Sequence, residues 1–120
     1  MIRPSARLGG TISEITSLSA NDWSKELSSG QKLLLIGKSS CQACAEWKKD
    51  LSSWKRPDEL VILEMKLDQS GFGNFKRENP WITEIQMLPY NVIFNEGVIV
   101  ERWSGKGIER LENKLHSITN

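Results

Sequence analysis

What most narrows the fold of this chain is Cys41-Gln42-Ala43-Cys44, which holds the only two cysteines among its 120 residues. The motif sits between two segments of opposite character. Before it, Leu33-Leu34-Leu35-Ile36 is apolar throughout and reads as a buried strand. After it, Ala45-Glu46-Trp47-Lys48-Lys49-Asp50-Leu51 has helix-forming composition. A C-x-x-C at a strand-to-helix junction predicts a dithiol redox site. Residues three apart on a helix share a face, so the two sulfurs can meet in a disulfide. Cys41 at the helix start would lie under unpaired backbone N–H groups and the positive end of the helix dipole, which stabilise a thiolate. The thiolate is the attacking species, so Cys41 is the expected nucleophile and Cys44 the resolving thiol.

Other readings compete. Half a zinc site needs two more ligands, and the only further Cys or His is His116, near the C-terminus. Two inert core cysteines can also fall at this spacing. A structural disulfide of a secreted domain is disfavoured, because a bridge closing so short a loop constrains the unfolded chain little.

The chain has the length of one domain, and 38% hydrophobic with 26% charged residues is ordinary for a globular sequence. A net charge of +1 argues against a nucleic-acid or anionic-membrane partner, which calls for a strongly basic patch. No apolar stretch approaches the roughly 20 residues that span a bilayer. The basic start, Met1 to Leu8, leads into no hydrophobic segment, so no secretory signal and a cytoplasmic location are expected.

Residues 1–10, ending in Gly9-Gly10, are expected to form a flexible N-terminal arm, and residues 11–120 a single domain. Thr11–Leu18 suggests a short first strand. Ser19-Ala20-Asn21-Asp22 offers caps for a helix over Trp23–Ser28, closed by Gly30. Lys32–Ile36 is the second strand, and a helix runs from Cys41 to about Trp54, before Pro57. Leu60–Leu67 is a third strand, Gln69–Gly73 a turn, and Asn74–Glu78 a short helix. Tyr90–Phe94 and Val98–Trp103 pair as a hairpin through Asn95-Glu96-Gly97. Ile108, Leu111, Leu115 and Ile118 recur at helical spacing and predict a last helix packed by one face.

This order, with C-x-x-C opening the second helix, resembles the thioredoxin family over roughly residues 11–118. Met87-Leu88-Pro89-Tyr90 stands where that family carries a cis-proline facing the dithiol. Gly105 matches the glycine of its substrate groove, and Asp68 also has a counterpart. The resemblance implies an α/β thioredoxin fold, a five-stranded mixed sheet flanked by four helices. It also implies reversible dithiol–disulfide exchange with other proteins, and a substrate-binding rim of Gln42, Ala43, Leu88, Pro89 and Gly105.

The departures are specific. Ser40 and Ala43 replace the family's active-site tryptophan and proline, and Lys49 its helix-kinking proline. The family's buried proton-shuttling aspartate falls at Leu35, and that aspartate's lysine partner at Glu64, so Glu64 becomes the candidate proton relay; the competing reading is a solvated strand residue. The stretch from Asp68 to Pro89 is several residues longer than usual.

Among other side chains, Lys38 is the best candidate to favour a Cys41 thiolate, whereas Lys48 and Lys49 read as a solvated helix face. The tryptophans read as core or rim packing, with Trp81 placed to border the groove, and His116 reads as a surface residue.

The expectation is a monomeric protein-disulfide reductase with no bound cofactor and no metal. Its partners would be disulfide-containing proteins and a thioredoxin-reductase-type electron donor. The alternatives are a disulfide oxidase or isomerase, and a redox-inactive thioredoxin-like module that binds a partner protein.

Overall fold

The computed structural model describes residues 14–119. The expected arm at residues 1–10, and the first residues of the expected opening strand, lie outside them. The described residues form five strands and four helices, beginning in chain order with β1 (Ile15–Ser17), α1 (Trp23–Leu27), β2 (Gln31–Gly37), α2 (Gln42–Ser52), β3 (Leu60–Lys66) and α3 (Gly73–Glu78). A 3-10 turn (Pro80–Glu84) follows, then β4 (Tyr90–Asn95), β5 (Val98–Ser104) and α4 (Ile108–Thr119). They form one mixed sheet in the order β1-β3-β2-β4-β5. β3 runs parallel to β1 and β2, while β4 is antiparallel to both β2 and β5.

The apolar run Leu33–Ile36 is continuous because β2 is central and covered on both faces. Leu34 and Ile36 point into one core with Leu63, Met65, Phe72, Phe75 and Val92, beneath α1 and α3. Leu33 and Leu35 point into the other, with Trp47 and Leu51 of α2 and Leu111 and Leu115 of α4. Burial of such side chains contributes about 1.5–3 kcal/mol each. These two apolar layers press α2 against the sheet. The helix ends sooner than its composition suggests, because the N–H groups of Ser53 and Trp54 turn back to the carbonyls three residues earlier. The lengthened segment holds α3 and the 3-10 turn, which the sequence reading did not anticipate after Asn79.

The hairpin turn is tight. Asn95 pairs with Val98, so only Glu96 (φ 52°) and Gly97 (φ 83°) turn the chain, the left-handed pair of a type I′ turn. The turn is also tied to the residue before β2: the Gly30 N–H donates to the Glu96 carboxylate (3.0 Å), and the Gly30 carbonyl accepts the Glu96 N–H (3.0 Å). A Cβ at Gly97 would sit 3.2 Å from the Ser28 carbonyl oxygen. Gly97→Ala should therefore destabilise the fold by about 1–2 kcal/mol, the cost of a side chain in left-handed backbone, read as a lower urea midpoint with an unchanged slope.

Candidate active site

Cys41 and Cys44 are joined as a disulfide with their Cα atoms 5.2 Å apart. Cys41 is the N-cap of α2, in extended backbone (φ −89°, ψ 111°), and its sulfur accepts the Cys44 N–H at 3.1 Å. The sulfur thus replaces the serine or aspartate oxygen that usually caps a helix. Any negative charge developing on Cys41 would meet that N–H and the helix terminus behind it. Both cysteines are partly buried, while Gln42 is exposed and Ala43 partly exposed between them.

Gly37, the last residue of β2, decides where Cys44 can sit. A Cβ there would lie 2.9 Å from the Cys44 sulfur and 3.1 Å from its Cβ. Only hydrogen leaves room for the sulfur against the sheet. The next strand brings in the proline loop. Ile36 pairs with Tyr90, so continuing the antiparallel register by one residue sets Gly37 beside Pro89. Pro89 is buried, follows a cis peptide bond and leaves Leu88 partly exposed beside it. Gly105 (φ 102°) completes the rim, its N–H donating to the Pro89 carbonyl at 2.7 Å. The dithiol, Pro89 and Gly105 thus converge at one end of the sheet, with Met87 61% exposed next to them.

The charged neighbours differ from expectation. Lys48 is not part of a fully solvated face: its ammonium pairs with the Glu64 carboxylate at 2.8 Å. Glu64 is the direct register partner of Leu35 and is only 16% exposed, so it is not a freely solvated strand residue. It faces α2 because the alternation of β3 places Leu60, Ile62 and Glu64 on one side. Lys48 lies one helical turn beyond Cys44, which brings the carboxylate's cation to the dithiol's helix face. Lys38 touches the site through its backbone carbonyl, which accepts the Cys41 N–H at 3.2 Å, while its side chain is exposed. Trp81 stacks on Tyr90 and lies under the Arg102 guanidinium, so it packs beside the strand that follows the proline loop.

Two carboxylates anchor the loops. Asp68 accepts the Ser39 N–H, tying the loop before Cys41 to the end of β3. Hydrogen bonds from Ser39 hold the Asp68 carboxyl below the usual aspartate range. Glu46 accepts from Lys106 at 2.5 Å and from Gln42 at 3.2 Å, joining the first turns of α2 to the loop after Gly105. The Lys106 ammonium holds Glu46 below the usual glutamate range, and Glu46 raises Lys106 in return.

Three contributors escaped the sequence reading. Gly37 and Glu46 carry no motif signal. Asn91 is the only buried polar side chain among the described residues, and its single signal is an amide opening the apolar run Val92-Ile93-Phe94. No group of three His, Cys, Asp or Glu that could hold a metal occurs among the described residues, and no helix there is long and apolar enough to cross a membrane.

Gly37→Ala should expel the Cys44 sulfur from its seat, lowering the melting temperature and weakening the disulfide relative to dithiothreitol, both measurable on the purified chain. Asp68→Asn should remove an acid-dependent tether. The depressed carboxylate stabilises the fold at pH above its unfolded titration and loses that contribution as pH falls through the folded one. The variant's stability should accordingly fall less than wild type's on acidification below the ordinary aspartate range.

No protein-family model and no curated protein matches this sequence. Solved structures do match. Thioredoxin f2 of Chlamydomonas reinhardtii superposes with a TM-score of 0.70 at 13% identity, over 88% of this chain and 96% of that one. Thioredoxin O2 of Arabidopsis thaliana, in its oxidized state, gives 0.69 at 16% identity, over 90% and 96%. Thioredoxin NaTrxh of Nicotiana alata gives 0.68 at 18% identity, over 88% and 93%. Identities this low speak for shared architecture, and they join the sheet order and the placement of the cysteines in one conclusion: the chain has the thioredoxin fold, with a C-x-x-C disulfide opening the helix that follows its second strand.

Proposed function

We propose that the chain is a thiol–disulfide oxidoreductase that reduces protein disulfides, with Cys41 as nucleophile and Cys44 as resolving thiol. The observation that carries this is the Cys41 sulfur at the N-cap of α2, accepting the Cys44 N–H, at the end of the sheet where Pro89 and Gly105 meet. In the reduced protein the Cys41 thiolate attacks one sulfur of a substrate disulfide. That bond breaks, a mixed disulfide forms, and the leaving substrate sulfur takes a proton. Cys44 then loses its proton and attacks the Cys41 sulfur, releasing the second substrate thiolate and leaving the Cys41–Cys44 disulfide. Two electrons from a separate thioredoxin-reductase-type donor return the pair to the dithiol.

Resolution needs a base for Cys44, and Leu35 cannot provide one. Glu64, largely shielded from water and paired with Lys48 one turn from Cys44, is the carboxylate in reach of that face. Gln42, Ala43, Leu88, Pro89 and Gly105 form the rim on which an extended substrate segment would lie, pairing with Leu88 backbone groups as an added strand does. The cytoplasm is the compartment that suits a reductase, and a monomer suffices for the cycle. The opposite direction of exchange, as an oxidase or isomerase, would use the same sulfurs. A redox-inactive binding module would use only the rim.

Insulin reduction with dithiothreitol as electron source separates these readings. Cys41→Ser should abolish turnover, and Cys44→Ser should accumulate mixed disulfides with substrate; trapping by the opposite variant reverses the roles, and no turnover by wild type leaves the binding module. For the relay, Glu64→Gln should slow mixed-disulfide resolution by about tenfold or more near neutral pH and remove an inflection from its pH profile. Superimposable profiles for the two proteins would rule Glu64 out as the base.

A further inference from the structure

Asn91 is 0% exposed, in a strand whose next three residues, Val92, Ile93 and Phe94, are buried and apolar. A buried amide is costly unless its hydrogen bonds are made. Here they are. The Trp47 indole N–H, which can only donate, fixes the amide's orientation by giving its proton to Asn91 Oδ1 at 2.8 Å. Asn91 Nδ2 then donates to the Gly105 carbonyl at 2.8 Å and, at 3.4 Å, to the Trp103 carbonyl.

An apolar residue at this position would fill the layer between Leu35 and Trp103, its register neighbours, with no polar debt. The amide therefore needs a reason other than packing, and its partners supply one. Trp47 lies three residues after Cys44 on α2, fully buried. Gly105 has no side chain to pack, stands at φ 102°, and gives its N–H to the Pro89 carbonyl. One amide thus joins the dithiol helix to the far rim of the groove, which in turn holds the proline loop. Glu46 and Lys106 make a second link between the same two elements, but both are exposed and open to solvent screening. The buried link is the one that keeps its geometry in salt.

We propose that Asn91 is a positioning residue that locks the Gly105 rim to the dithiol helix, so that a protein disulfide meets a preformed cleft at Cys41. This rests on the thiol–disulfide reading above. It concerns macromolecular substrates, whose extended segments would lie along the Gly105 rim, whereas a small dithiol needs only a sulfur to attack.

The test is the Asn91→Leu chain beside wild type, assayed with insulin and, separately, for the rate at which dithiothreitol reduces the Cys41–Cys44 disulfide. Loss of the lock should raise KM for insulin by about tenfold, the factor carried by one buried hydrogen bond, with kcat and the dithiothreitol rate unchanged. Trp47→Phe, which cuts the bond from the dithiol helix to Asn91 while leaving the one from Asn91 to Gly105, should raise KM to a similar extent, and a KM unmoved in that variant would equally overturn the lock. An unchanged KM, or a fall in all three quantities together, would show that Asn91 is only a satisfied core group and overturn the proposal. If Asn91→Leu does not fold, hydrogen exchange in wild type decides. The Trp47 indole and Gly105 N–H groups should exchange together on both oxidised and reduced protein, and Gly105 opening independently of Trp47 would refute the lock. Exchange needs no substrate, so it reads the lock even if wild type reduces no insulin, the outcome that would instead remove the proposed function.

Discussion

β2 has no solvent face, and the rest of the molecule follows from that. Its side chains must be covered from both directions, so the chain has to place helices on each side of the sheet and cannot fold as a half-exposed antiparallel layer. α2 is one of those covers. It is pressed down by Trp47 and Leu51, and it begins where β2 ends. The dithiol sits at that seam because the seam is where a buried strand gives way to the helix that covers it. Gly37 then lets the sulfur of Cys44 reach the sheet.

Seating a redox pair against an apolar layer creates a polar problem, which this chain meets in its own way. The face beneath α2 holds two polar side chains next to Leu35: Glu64 on one neighbouring strand and Asn91 on the other. Glu64 has an ammonium partner, Lys48, that reaches in from the helix edge. Asn91 has only neutral partners and is closed off from water. The first borders solvent through its exposed lysine partner. The second can only hold geometry. Where a single buried acid is missing at Leu35, charge and rigidity are divided between two strands.

The loops at this end of the sheet are held in the same divided manner. Asp68 anchors the segment entering Cys41, and the Glu46–Lys106 pair clips the start of α2 to the loop leaving β5. Because Glu46 is depressed and Lys106 raised, that clip is intact from below the ordinary glutamate range to above the ordinary lysine range. Exposed pairs of this kind contribute little to stability, and salt weakens them. Their role is alignment of a rim whose shape comes from backbone: a cis Leu88–Pro89 bond and a left-handed Gly105.

The elements and the dithiol were legible in the one-dimensional pattern because they depend on near neighbours. The apolar run, the C-x-x-C spacing, the Glu96-Gly97 turn and the four-residue stripe of α4 are each local signals, and the strand-helix order with Pro89 and Gly105 pointed to the thioredoxin fold. What the tertiary structure decided are contacts between residues far apart in the chain. The Cys44 sulfur against Gly37, Lys48 against Glu64, and Asn91 between Trp47 and Gly105 all follow from sheet register, which sets opposite one another residues that no local pattern connects. A glycine is silent about whether it faces a sulfur. An asparagine opening an apolar strand says only that a partner must exist, and burial decides which one it is.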